Sequence, residues 1–169
     1  MAKIISDPAE CRKEIEEIYG KDARIFTTSG GFDPVHIGHI RCIKETAELL
    51  EDHTKDVFVV IVNGDGFLQR KKGKPFMKHI ERMEVISAMA GVDYVVGWDD
   101  GSQTVSGCIE ILKPEIFTKG GDRSEKSKVP ESYICDKIGC EILYGIGGVE
   151  KVQSSSDLIS NNKAIDKIE

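Results

Sequence analysis

The chain has no apolar run long enough to form a membrane span and no targeting segment at its start. Its longest apolar run, residues 57–62, falls far short of the roughly 20 residues that cross a bilayer. The first residues, Met-Ala-Lys-Ile-Ile-Ser-Asp-Pro, lack the apolar stretch of a secretory signal. These absences predict a cytoplasmic protein with no membrane partner.

Cysteines are few and lie far apart along the chain. The count is five, an odd number, and no pair has the C-x-x-C spacing of a zinc or redox motif. Widely spaced cysteines of odd number argue against a disulfide framework and indicate reduced thiols. We therefore expect no structural metal site built from cysteine. The five cysteines are Cys11, Cys42, Cys108, Cys135 and Cys140.

Neither charge sign dominates the composition. The 169 residues include 29 Asp and Glu against 23 Lys and Arg, a net charge of -6, and 40% are hydrophobic. These values are ordinary for a globular protein and leave room for one domain. An acidic chain with one short basic run and no interleaved aromatics is not typical of a nucleic-acid-binding protein, so we expect no nucleic-acid partner.

Apolar runs of strand length alternate with helical patterns from residue 24 onward, which predicts a parallel α/β fold. The predicted strands cover residues 24–29, 56–63, 92–98, 115–119 and 141–145. The pattern therefore favours a Rossmann-like single domain with about five parallel strands and helices on both faces. Residues 1–22 are predicted to form an N-terminal helical appendage, and residues 23–169 the main domain.

Residues 28–39, T-S-G-G-F-D-P-V-H-I-G-H, join the first predicted strand to the first helix. In a parallel α/β sheet, such a loop lies at the ligand crevice. The paired glycines Gly30 and Gly31 allow a ligand to approach the backbone, and a helix N-terminus attracts anions. His36 and His39 are three residues apart and project from one side, with Gly38 leaving space between them. This pattern predicts a phosphate site.

The pattern G-x-F-D-P-x-H-x-G-H resembles the motif of a nucleotidyltransferase superfamily that includes cytidylyltransferases and heptose 1-phosphate adenylyltransferases. Further blocks follow in the order found in that superfamily. The similarity covers about residues 24–160, and residues 113–122 look most like the heptose-type enzymes. These further blocks are N-G-D at 63–65, basic residues at 70, 71, 72, 74 and 78, Arg82, K-P-E-I-F-T-K-G-G-D at 113–122, and S-S-S-D-L-I at 154–159.

The resemblance implies transfer of a nucleoside monophosphate from a triphosphate to a phosphorylated small molecule, with Mg²⁺ as cofactor and a homodimer as the assembly. Because the acceptor phosphate is already anionic, no general base is needed. The implied catalytic residues are His36, His39 and Lys72. Those implied for nucleotide binding are Gly30, Gly31, Phe32, Gly38, Lys71, Arg82, Lys119, Gly120, Gly121, Asp122, Ser154, Ser155 and Ser156. Those implied for acceptor binding are Asn63, Asp65 and Lys71, and no residue is implied as a metal ligand.

Several alternatives stay open from the sequence. The K-G-G-D block favours ATP with a sugar phosphate such as a heptose phosphate, whereas the position of Lys71 suits CTP with glycerol 3-phosphate or an amino-alcohol phosphate. Which of Lys71 and Lys72 contacts the reacting phosphates is also undecided. A non-catalytic nucleotide-binding module is a third, less favoured interpretation.

Overall fold

The computed structural model describes residues 1–121, 129–148 and 153–165. Within these ranges no helix is long and apolar enough to cross a membrane. The strands are β1 Lys3–Ile4, β2 Arg24–Gly30, β3 Asp56–Asn63, β4 Tyr94–Trp98, β5 Ile116–Gly120 and β6 Glu141–Ile146. The helices are α1 Pro8–Tyr19, α2 Ile37–Glu48, α3 Asp65–Lys72, α4 His79–Ser87, α5 Ser106–Leu112, α6 Ser132–Ile138 and α7 Ser155–Ile165.

The strands form one parallel sheet with the order β1-β4-β3-β2-β5-β6. From β2 the chain adds β3 and then β4 on one side, and it crosses to the other side of β2 to add β5 and β6. The order of strands therefore reverses between β2 and β5. A crevice at the carboxyl ends of the strands is expected at this switch point. The predicted Rossmann-like α/β class is confirmed.

Alternating side chains of the central strand β3 supply both layers of the core. Val57, Val59 and Ile61 pack with α1, α5 and α6 on one face of the sheet, and Phe58, Val60 and Val62 pack with α2 and α4 on the other. All six side chains are fully buried. A strand buried on both faces has to be apolar at every position, which explains the continuous run in the sequence.

The sheet has one strand more than the five or so predicted. The additional strand is β1, whose two residues are too few to produce a periodic pattern in the sequence. The N-terminal segment thus provides an edge strand as well as the predicted helix. Cys11 and Ile15 of α1 are fully buried in the core, and Arg12 Nη1 donates to the carbonyl of Leu112 at 2.9 Å.

Candidate active site

A cavity of about 330 Å³ opens at the carboxyl ends of β2 and β5, where the strand order reverses. Its wall combines the glycine-rich loop after β2, the end of β5 and the loop after β6. The lining residues are Thr28, Ser29, Gly30, Gly31, Phe32, His36, Gly38, His39, Cys42, Ile43, Asn63, Phe67, Lys71, Gln103, Val105, Lys119, Gly120, Gly121, Pro130, Glu131, Gly147, Gly148 and Gln153.

The two histidines of the H-x-G-H motif form a stacked pair at the beginning of α2. Their ring centroids are 3.7 Å apart with an interplanar angle of 25°. The N–H of Gly38 donates to Nδ1 of His36, and the N–H of His36 donates to Nδ1 of His39, both at 3.2 Å. Because each Nδ1 accepts a hydrogen bond, each neutral ring carries its proton on Nε2. Both rings line the cavity, so the pair can offer two N–H donors to an anion.

The surroundings keep both rings neutral. Burial lowers the pKa of His36 below its usual value. Burial, together with the adjacent charge of His36, lowers the pKa of His39 to about 3. Near neutral pH the pair can therefore donate hydrogen bonds to an anion at a helix N-terminus, where backbone N–H groups also favour negative charge.

Asp33 of the glycine-rich loop holds the loop that precedes α4. Its buried carboxylate accepts the N–H groups of Phe76 and Met77 at 2.8 and 2.6 Å, and Lys72 Nζ lies 2.8 Å from the same carboxylate. Burial raises the pKa of Asp33, but these hydrogen bonds outweigh it and the net pKa is lowered. Lys72 also donates to the carbonyl of Asp33 at 2.8 Å, so Asp33 holds the Lys72 ammonium at two points.

Arg82 lies behind the cavity wall and connects three of its segments. Its side chain is fully buried, and Nη1 donates to the carbonyls of Gly31 and Asn63 at 2.7 and 2.6 Å. Nη2 donates to the carboxylate of Asp65 at 2.7 Å, and Nε donates to the carbonyl of Met77 at 3.1 Å. Through these hydrogen bonds the Arg82 guanidinium holds the segments that form this part of the cavity wall in place.

Two glycines allow close packing at α2. Gly147 lets the loop after β6 approach the helix, and Gly38 in the first turn of the helix leaves room for the His36 ring. A Cβ at Gly147, whose φ is +82°, would lie 2.6 Å from the backbone nitrogen of Cys42, so a side chain there would clash with α2. A Cβ at Gly38 would lie 3.1 Å from the His36 ring. Glycine at these positions lets the loop and the ring pack closely against α2.

Lys119 and Glu131 form a polar corner on another part of the wall. Lys119 Nζ lies 3.7 Å from Glu131 Oε2, 3.4 Å from Ser29 Oγ, and 4.4 Å from the centroid of the Phe117 ring. The N–H of Val105 donates to Glu131 Oε1 at 3.2 Å. Lys119 lies at the carboxyl end of β5, Val105 directly precedes α5, and Glu131 directly precedes α6.

The structure brings many of the predicted site residues together in the cavity wall. They are Gly30, Gly31, Phe32, His36, Gly38, His39, Asn63, Lys71, Lys119, Gly120 and Gly121. Lys72, Asp65 and Arg82 lie outside the wall, held by the contacts described above. Asp122 lies outside the described residues. The roles of all these residues remain predictions.

The three predicted serines are placed at the beginning of α7, beside the wall residue Gln153. Ser154 Oγ accepts the N–H of Asp157 at 3.1 Å, as an N-cap does, and Ser155 Oγ donates to the carbonyl of Pro34 at 2.7 Å. Ser156 is exposed. The serines thus fasten the start of α7 to the glycine-rich loop, and the binding role predicted for them is not tested by these contacts.

Sequence reasoning missed Gln103 and Glu131, two polar wall residues that belong to none of the motifs described above. Gln103 follows β4, and Glu131 lies between β5 and α6. Their position in loops after the carboxyl ends of strands was the one available signal, because such loops converge on the crevice of a parallel sheet. It could not select these two residues from their neighbours.

The donor chemistry of the cavity fits a magnesium ion that takes most of its ligands from phosphate. Among the residues that the structure describes, no group of three His, Cys, Asp or Glu side chains could hold a metal. Asn63 lines the cavity, and its buried Oδ1 has no hydrogen-bond partner within the described ranges. A carbonyl oxygen of this kind suits Mg²⁺, which commonly binds through few protein ligands together with substrate phosphates and water.

Together the fold and the cavity define an α/β protein with a glycine-rich loop and an H-x-G-H motif at its switch point. A family model described as Cytidylyltransferase-like matches residues 27–141, which is more than half of the chain. The chain belongs to the cytidylyltransferase-like family of nucleotidyltransferases.

Curated relatives support the same family. The chain is 33% identical over 156 residues to "Bifunctional protein HldE" of Alcanivorax borkumensis, covering 91% of this chain and 29% of that protein. It is 33% identical over 147 residues to the protein of the same name from Hahella chejuensis, covering 86% and 28%. The chain therefore spans less than a third of the length of these relatives.

Two solved structures share the fold. A lipopolysaccharide core biosynthesis protein from Thermoplasma volcanium superposes with a TM-score of 0.57 at 24% identity, covering 72% of this chain and 94% of its own. A pantoate-beta-alanine ligase from Francisella tularensis superposes with a TM-score of 0.61 at 12% identity, covering 94% and 73%. At these identities the likeness concerns the Rossmann-like architecture alone.

Proposed function

We propose that the chain transfers a nucleoside monophosphate from a nucleoside triphosphate, preferably ATP, to a phosphorylated sugar and releases pyrophosphate. The observation that carries this proposal is the stacked His36 and His39 pair at the beginning of α2, whose rings line the cavity and carry their protons on Nε2. The pair has the donors that developing negative charge on an α-phosphate requires.

The proposed reaction is a single in-line displacement. An oxygen of the acceptor phosphate attacks the α-phosphorus, a new P–O bond forms, the bond from that phosphorus to the β-phosphate bridging oxygen breaks, and pyrophosphate leaves with the bonding electrons. The attacking oxygen is already anionic, so positioning and charge stabilisation are sufficient. His36 and His39 donate hydrogen bonds to the α-phosphoryl oxygens throughout the step.

Two lysines of the wall contribute positive charge. Lys71 at the end of α3 and Lys119 at the end of β5 both line the cavity. Their ammonium groups attract the triphosphate and the acceptor phosphate in a chain whose net charge is -6. Asn63 Oδ1 would be the ligand from this chain for Mg²⁺, which would supply further charge neutralisation to the triphosphate.

Two observations bear on the choice of substrates. Lys119, Gly120 and Gly121, the part of the sequence that resembles heptose 1-phosphate adenylyltransferases, line the cavity and support ATP with a sugar phosphate. Conversely, Lys71 lines the cavity whereas Lys72 is held by Asp33, and a lysine at the first position is typical of cytidylyltransferases. A CTP-dependent enzyme acting on glycerol 3-phosphate or an amino-alcohol phosphate is therefore the second candidate. A homodimer remains a prediction for either enzyme.

Pyrophosphate release tests the proposal and separates the candidates. The chain is assayed with Mg²⁺ and each of ATP, CTP, GTP and UTP, against a heptose 1-phosphate, glycerol 3-phosphate and ethanolamine phosphate. The proposal expects release that requires ATP and the sugar phosphate together. Release with CTP and one of the other acceptors would identify the second candidate. Nucleotide binding without release under any condition would indicate a non-catalytic binding module.

A further inference from the structure

Glu131 is a buried carboxylate in the cavity wall with one oxygen left unsatisfied. The residue is 5% exposed, and its Oε1 accepts the Val105 N–H at 3.2 Å. Its Oε2 is buried and accepts no hydrogen bond from the part of the chain that the structure describes. Because burying an acceptor without a donor costs free energy, an oxygen of this kind in a ligand cavity indicates that the ligand provides the donor.

The charge of the Glu131 carboxylate is already balanced by Lys119. Lys119 Nζ lies 3.7 Å from Oε2, too far for a hydrogen bond but close enough for attraction between the charges, and the two side chains are 13% and 7% exposed. A ligand ammonium at Oε2 would lie beside the Lys119 ammonium and be repelled by it. The arrangement therefore favours a neutral donor such as a hydroxyl.

Glu131 and two of the cavity's glycines are held by different elements of the fold. Gly120 and Gly147 approach α2, where a Cβ on either would come within 3.3 Å of Cys42 atoms. Glu131 is fixed instead to Val105, in the core layer formed with α5 and α6 on the other face of the sheet. Glycines allow a nucleoside to approach the backbone closely, which leaves the buried Glu131 carboxylate to the acceptor.

We propose that Glu131 is a specificity-determining residue whose Oε2 accepts a hydrogen bond from a hydroxyl of the acceptor, so that the site selects polyhydroxylated phosphates over amino-alcohol phosphates. This assignment rests on the proposed nucleotidyl transfer to a sugar phosphate. It names a contact that the sequence motifs do not contain.

The test compares the wild-type chain with Glu131→Gln. The variant keeps a carbonyl oxygen for the Val105 N–H and replaces the acceptor at Oε2 with an NH₂ group. Glu110→Gln is the matched control, because Glu110 is on α5, about half exposed and paired with Lys137 rather than with the cavity. The probes are a heptose 1-phosphate and its single-position deoxy analogues, with ATP affinity measured by calorimetry.

Glu131→Gln is expected to raise KM for the heptose 1-phosphate about 10- to 100-fold, as loss of a hydrogen bond to a charged group does, with the Kd of ATP unchanged. One deoxy analogue should abolish the difference between the variant and the wild type. A raised Kd for ATP with an unchanged acceptor KM would place Glu131 at the nucleoside and overturn the assignment. If Glu131→Gln does not fold, Glu131→Asp is compared in the same way, because it keeps the charge at shorter reach.

Failure of the proposed function gives a different result. A wild-type chain that releases no pyrophosphate with any sugar phosphate contradicts the nucleotidyl transfer itself. Calorimetric binding of the heptose 1-phosphate, with a non-hydrolysable ATP analogue present, then decides the Glu131 assignment. Binding that is weakened in Glu131→Gln but not in Glu110→Gln supports it, and equal or absent binding in all three proteins overturns it.

Discussion

The backbone N–H of His36 donates to Nδ1 of His39, and the two rings stack with centroids 3.7 Å apart. This relationship fixes which nitrogen of each ring is free to face a ligand. It explains why the motif needs two histidines at a spacing of three: the first ring caps α2, and the second ring turns back onto the first. The proposed chemistry depends on this pair.

Replacing either histidine with asparagine should remove catalysis while keeping the helix cap. Asparagine places a polar atom near the position of Nδ1 but has nothing at Nε2, and it is a good N-cap residue. For His36→Asn and for His39→Asn we expect kcat to fall about 100- to 1,000-fold, the usual effect of losing one transition-state donor. Steady-state pyrophosphate release measures this, with His53→Asn, at an exposed histidine, as the control. Near-normal kcat in either variant would show that the assigned roles are wrong.

The two adjacent lysines should respond differently to substitution. Lys71 lines the cavity, so Lys71→Met is expected to lower kcat/KM at least tenfold. Lys72 is paired with the buried carboxylate of Asp33, so Lys72→Met should lower the free energy of unfolding by about 2–3 kcal/mol. Urea unfolding and pyrophosphate release, measured on both variants, check this. The opposite pattern would assign the phosphate contact to Lys72.

Arg82 should prove to be a positioning residue. Arg82→Met would leave the buried carbonyls of Gly31 and Asn63 without donors, so we expect a loss of about 3–5 kcal/mol of unfolding free energy. Asp65→Asn should cost less, because the Asp65 side chain is 40% exposed. Thermal and urea unfolding measure both effects. A stable Arg82→Met variant that has lost only nucleotide affinity would instead indicate direct phosphate binding.

Acidification should destabilise the protein through His39. In the unfolded chain this histidine takes up a proton near pH 6.5, whereas in the folded chain its pKa is about 3. The contribution of neutral His39 to the free energy of unfolding is therefore complete above pH 6.5. It is lost as the pH falls toward 3, at about 1.4 kcal/mol per pH unit for one proton. Lowered pKa values of His36 and His79 act in the same direction. Urea unfolding between pH 7 and 5 should show this slope, reduced in His39→Asn; an equal slope in both proteins would contradict the pKa assignment.

The sequence predicted the sheet well because its central strands are buried on both faces. The predicted range 56–63 coincides with β3, and the other predicted strands differ from those observed by one or two residues at an end. The short strand β1 was missed because it is defined by pairing with β4, which leaves no periodic pattern. Ile37 and Ile40 of α2 and Ile80 of α4 are exposed, and helical spacing alone could not have shown how much of each helix the sheet covers.

The site was predictable where chemistry requires a local motif and not where it is assembled by the fold. His36, Gly38 and His39 act within one helical turn, so their spacing in sequence is their geometry. Glu131 reaches the same cavity from far along the chain because β5 lies next to β2. The proximity of Glu131 to the histidine pair can therefore be predicted only once the order of the strands is known.

The most direct test follows the α-phosphate of the nucleotide. The chain is incubated with Mg²⁺, a heptose 1-phosphate and ATP labelled at the α-phosphorus, and the products and the protein are analysed by mass spectrometry. The proposed reaction predicts a labelled nucleoside diphospho-sugar and an equal amount of unlabelled pyrophosphate, both dependent on the acceptor, with no label on the protein. Label on the protein, or hydrolysis of ATP without a labelled sugar product, would contradict direct nucleotidyl transfer.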